Sequence, residues 1–136
     1  MPQYLGLVSV VVQDYDEAIA FYVGKLGFTL DEDTLQATQN KRWVVVSPPG
    51  ARESRLLLAR ATNEHQASRI GDQTGGRVFL FLYTDDFWRD FHSYKAKGVA
   101  FSREPKTETY GIVAVFQDLH GNQWDLVQTT PAASTA

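Results

Sequence analysis

With 136 residues, 43% of them hydrophobic and 21% charged, the chain is long enough for one domain or for two half-size modules around a shared core. Its net charge of -3 leaves no basic footprint for nucleic acid or an anionic membrane. The absence of cysteine excludes disulfides, thiol nucleophiles and thiolate metal sites.

In chain order, residues Met1 to Gly6 lack the basic region of a signal peptide. No apolar run approaches the ~20 residues that cross a bilayer, so the expected location is the cytoplasm. Leu7-Val8-Ser9-Val10-Val11-Val12 is β-branched and reads as a buried strand. Asp14 with Glu17 three positions on has the form of a capping box. Tyr15, Ile19, Tyr22 and Leu26 then fall on one helical stripe, and Gly27 stops the helix. Strand-like runs follow at 28–30, 42–47 and 55–59, the last two separated by the Pro48-Pro49-Gly50 turn.

The same grammar then repeats. Val78 to Tyr83 reads as a strand, and Asp85 and Asp86 sit at the positive end of the next helix. Phe87, Phe91 and Tyr94 form its apolar stripe, and Gly98 ends it. Runs at 99–101, 112–116 and 123–127 complete the half, with Asp118 to Asn122 as the turn before the last. Each half is β-α-β-β-β: module one about 4–62, a polar linker 63–76 with room for one helical turn, and module two about 77–130. Residues 131–136 read as a frayed tail.

This order, with the phrases Ala-x-x-Phe-Tyr-x-x-x-Leu-Gly-Phe (Ala18 to Phe28) and Asp-x-x-Gly-Asn-x-x-Asp-Leu (Asp118 to Leu126), resembles the vicinal oxygen chelate superfamily. Glyoxalase I, bleomycin-resistance proteins, fosfomycin-modifying enzymes and extradiol dioxygenases belong to it. The resemblance implies an α+β fold in which two βαβββ modules form a cupped mixed β-sheet, a half-open barrel, with helices outside. It also implies a small-molecule cavity and a homodimer.

Fold does not settle chemistry, so the resemblance is carried over position by position. The family's metal-ligand positions fall at Leu7, at Phe79, within Leu56-Leu57-Leu58, and at Asp125. Leucine and phenylalanine offer no lone pair to a cation, and a catalytic zinc normally takes three protein ligands. His65 in the linker, His92 in a helix and His120 in a turn do not obviously complete the set. No metal and no other cofactor is therefore expected.

Alternation along the strands directs Phe79, Phe81 and Tyr83 to one face, and Gln123 and Asp125 to one face of the last strand. With Ser9, Trp43 and Tyr110 they form the expected ligand-binding set, an aromatic box with a few polar groups, to which Phe116 is a further candidate contributor. Asp125 needs a partner or a raised pKa, and Arg42, Arg55, Arg77 or Tyr83 could supply the partner. As candidate catalytic base, ligand-binding group or structural acceptor, its role stays open. Two functions follow: a metal-free binding or drug-sequestering protein for an aromatic or cationic small molecule, or a glyoxalase-like lyase or dioxygenase on a small oxygenated substrate. Whether the chain is an enzyme stays open at this point.

Overall fold

The computed structural model describes residues 2–51 and 53–130, so the tail reading of 131–136 lies outside the described residues. The backbone divides into two compact units, Met1–Gln73 and Thr74–Ala136. The fold class is α+β, with one four-stranded mixed sheet in each unit.

In the first unit the elements are β1 (Leu7–Val12), α1 (Tyr15–Tyr22), β2 (Thr29–Gln36), β3 (Lys41–Ser47), β4 (Arg55–Arg60) and the short α2 (Glu64–Ala67), with a 3-10 turn at Ala37–Gln39. The sheet order is β1-β4-β3-β2, with β1 parallel to β4 and the other pairs antiparallel. The first strand, read from sequence as buried, is buried on one face only: Val10 and Val12 are fully buried, whereas Leu7 and Ser9 on the other face are exposed. Asp14 caps α1 by accepting from the Glu17 N–H at 2.9 Å, so an otherwise orphaned donor is satisfied. Tyr15, Ala18, Phe21 and Tyr22 bury the helix against β3 and β4. Residues 63–67, read as linker with a helical turn, hold α2, capped by Asn63, which accepts from the Gln66 N–H at 2.8 Å.

The second unit repeats the plan with β5 (Val78–Tyr83), α3 (Phe87–Ala96), β6 (Phe101–Glu108), β7 (Gly111–Gln117) and β8 (Gln123–Thr129) in the order β5-β8-β7-β6. Again the first strand is parallel to the last. Asp86 caps α3 through the Arg89 N–H at 3.2 Å, and Gln128 accepts from the Phe87 N–H at 2.7 Å. The core is aromatic. Phe116, fully buried, stacks on Trp124 at 5.7 Å and meets Tyr94 and Phe101 edge-on or tilted at 5.3 and 5.9 Å. Burial pushes the Tyr94 phenol well above its ordinary value, so it stays neutral in that core.

Two strands run longer than hydrophobic periodicity indicates. β2 continues through Asp31 to Gln36 and β6 through Ser102 to Glu108, in polar sequence on the outer strand of each sheet. Pro105 interrupts β6 where the register shifts between Arg103 and Lys106, and an edge strand tolerates the missing N–H.

Candidate functional site

One face of the second sheet, buried at Val115 and Val127 and exposed at Phe81 and Tyr83, is set by its register. Arg103 on β6 pairs with Val115 on β7, Val115 with Asp125 on β8, and Asp125 with Phe81 on β5. One transverse row therefore carries an arginine, a valine, a carboxylate and a phenylalanine. The next row is Lys106, Val113, Val127 and Tyr83. Phe81 is 58% exposed and Tyr83 65%, a large apolar surface left to solvent. A concavity of about 160 Å³ lies over this face, lined by Arg103, Glu104, Lys106, Tyr110, Val113 and Asp125 among others.

Asp125 is half-buried on its floor. Burial pushes its carboxyl above the ordinary carboxylate value, and the Arg103 guanidinium partly offsets this. No donor among the described residues hydrogen-bonds it. The nearby cation is thus Arg103, two strands across, and not one of the arginines expected from sequence. Arg42 pairs with Asp33 and Asp16 at 2.8 and 3.1 Å, and Arg55 lies 4.0 Å from Asp31. The Arg42 fork, donating from Nε and Nη2, holds the Asp33 carboxyl below its ordinary value.

The other expected site residues are distributed as follows. Phe79 sits at a register shift between Val78 and Leu80, its ring edge-on to the buried Trp124 at 6.2 Å. Gln123 accepts a hydrogen bond from the Ser102 hydroxyl at 2.6 Å, at the end of β8. Tyr110 lines the concavity with Asp125 and is 46% exposed. Ser9 lies on β1, paired with Leu57. Trp43 lines a separate concavity of the first module with Leu57. Leu57 pairs with Ser9 and Val45 as Asp125 pairs with Phe81 and Val115, so it is the first module's counterpart of Asp125.

Sequence reasoning missed Arg103, Glu104 and Lys106, because the polar run that bears them shows no strand periodicity and shifts register twice. The turn phrase has a structural cause. Asp118 accepts from the His120 N–H, the Asn122 N–H and the Asn122 side-chain amide at 2.9, 3.0 and 2.9 Å, and both Asp118 and Asn122 are buried. It fixes the entry to β8, and through it the position of Asp125.

The donor set does not fit the family's metal. Leu7, Leu57 and Phe79 carry no ligating atom, and among the described residues no three His, Cys, Asp or Glu side chains group to hold an ion. No helix among them is long and apolar enough to span a membrane.

The chain is 59% identical over 128 residues to an uncharacterized protein of Shewanella frigidimarina, covering 94% of this chain and 95% of that one. The solved structure of UcmS2 superposes with a TM-score of 0.81 at 29% identity, covering 93% of this chain and 98% of that chain. That of TnmS3, an antibiotic binding protein from Streptomyces sp. CB03234, superposes with a TM-score of 0.75 at 31% identity, covering 95% and 98%. The family model described as the Glyoxalase/Bleomycin resistance protein/Dioxygenase superfamily matches residues 4–126, and the chain belongs to that superfamily.

Proposed function

We propose that this protein binds a planar, cationic small molecule on the exposed face of its second module and sequesters it without a metal and without chemistry. The observation that carries this reading is Asp125: a half-buried carboxylate that receives no hydrogen bond among the described residues, in a row with the exposed Phe81 and next to Tyr83. A ligand cation would compensate that charge, and aromatic faces attract cations and stack on planar rings. The similarity to an antibiotic binding protein supports the same reading.

The test is a calorimetric titration with proflavine, a planar aromatic cation, against acridone, a neutral ring system of similar shape. Proflavine binds, and Asp125→Asn weakens it about tenfold, the scale of one charge-assisted contact. Acridone is affected less than twofold. Because a protonated carboxyl attracts no cation and the Asp125 pKa is raised, proflavine binding weakens on acidification at a higher pH than an exposed aspartate would give. Equal losses for both ligands in Asp125→Asn would overturn the role of the charge.

The protein also forms a homodimer in this proposal, since β1, β2, β5 and β6 are the outer strands of their sheets and can be covered by a second copy. Purified protein is expected to sediment as two chains. It should carry less than one zinc, nickel, manganese or iron per chain, with stability unchanged by chelator. A tightly held stoichiometric ion would defeat the metal-free reading and restore an enzyme.

A further inference from the structure

The first module has a concavity of its own, about 190 Å³, on its own sheet. Every charged residue that lines it is basic: Lys41, Arg42 and Arg60. Arg42 is neutralised by Asp33 and Asp16. Arg60 is not. Its Nη2 donates to the Asn40 carbonyl oxygen at 2.9 Å, and its guanidinium lies 5.0 Å from the centre of the Tyr15 ring. Both contacts orient the group and neither cancels its charge. Lys41 follows Asn40 directly and is exposed. No carboxylate among the described residues forms an ion pair with either cation.

The geometry is held by the backbone around it. Asn40 adopts the left-handed conformation, φ 51 and ψ 45, at the end of the 3-10 turn, where its carbonyl meets Arg60. The Tyr15 hydroxyl accepts from the Arg42 N–H at 3.2 Å, which anchors the start of α1 to the start of β3. Gln66 uses its side-chain oxygen to accept from the Thr62 N–H and hydroxyl at 2.8 and 3.0 Å, so its amide NH2 remains a donor in the same lining. Trp43 and Leu57 supply apolar wall. The space equals the liquid volume of about six waters, enough for one small ring and its substituent.

We propose that this pocket is an organic-anion site: it binds a small aromatic acid, the carboxylate meeting Arg60 and Lys41 and the ring lying against Trp43 and Leu57. Arginine suits the role because its planar fork matches a carboxylate with two parallel hydrogen bonds. The site is independent of the cation-binding face of the second module, and the two have opposite charge preference.

Benzoate is the probe, titrated into the full-length protein labelled with nitrogen-15, with benzyl alcohol and benzylamine as neutral and cationic controls. Benzoate at millimolar concentration shifts the Trp43 indole and Arg60 Nε–H resonances, and added salt weakens the effect. Arg60→Gln reduces benzoate affinity about tenfold, the scale of a lost charge-assisted hydrogen bond pair. Lys41→Gln, at an exposed position that is safe for folding, reduces it a few-fold. Asp125→Asn leaves it unchanged, which separates this site from the other. Absence of the Trp43 and Arg60 shifts, equal shifts with benzyl alcohol, or benzoate affinity untouched by Lys41→Gln would each overturn the proposal.

Discussion

Phe116→Ala lowers the unfolding free energy by about 4 kcal/mol, within the range for deleting a fully buried aromatic side chain. Phe116 has no exposed surface and touches aromatic neighbours from α3, β6 and β8, namely Tyr94, Phe101 and Trp124. The cavity left behind cannot close easily, because Phe101 and Trp124 are held by backbone pairing of their strands with β7 and Tyr94 is fixed on α3. Phe116→Leu keeps most of the volume and costs about 1.5 kcal/mol. Urea unfolding read by tryptophan fluorescence measures both, since Trp124 stacks on the deleted ring. A loss below 1.5 kcal/mol for the alanine variant, with unchanged denaturant slope, would show that this cluster repacks and does not anchor the second module.

Only the helical side of that cluster was legible in the sequence, where periodicity is strong; Phe116, a candidate for the ligand cavity by strand alternation, is instead fully buried beneath α3. The stripe of Phe87, Phe91 and Tyr94 is buried as a helical repeat requires, and Asp14 and Asp86 cap where an acidic residue precedes an apolar run. Gly27 and Gly98 stand at positive φ, 76 and 86, after their helices. The parts that escaped are the polar strands. Asp31 to Gln36 and Ser102 to Glu108 lie on outer strands with much of both faces in solvent, so burial never selects an alternating pattern there. Arg103 went unseen for that reason, although it is the cation that acts on Asp125. Proximity along the chain could not find it: 22 residues separate the two in sequence, and only the pairing of β6 with β7 and of β7 with β8 puts them in one row. Lys41 and Arg60 escaped likewise, being joined by the backbone of Asn40 and by no sequence motif.

Gly111→Ala is expected to cost about 3 kcal/mol, combining backbone strain with a direct collision. Gly111 opens β7 after the turn at 109–110, with φ 152, a conformation that L side chains rarely adopt. A methyl group there would run into the Gln128 carbonyl oxygen and would lie 2.8 Å from the Thr129 Cα, both backbone atoms of the paired strand. Flexible side-chain rearrangement cannot relieve that contact, so β7 and β8 must separate locally. The hydrogen bond from the Thr130 N–H to the Tyr110 carbonyl oxygen, 2.9 Å, lies beside the lesion. Because Tyr110 lines the concavity that holds Asp125, proflavine binding should fall together with stability. Gly27→Ala is the control: its φ is also positive, but nothing stands within 4 Å of the added carbon. It should cost about 1 kcal/mol from strain alone and leave ligand binding intact. Equal costs for the two variants in urea unfolding would mean that the close approach of β7 to β8 is relieved by a small backbone shift, and that Tyr110 is positioned by something other than this pairing.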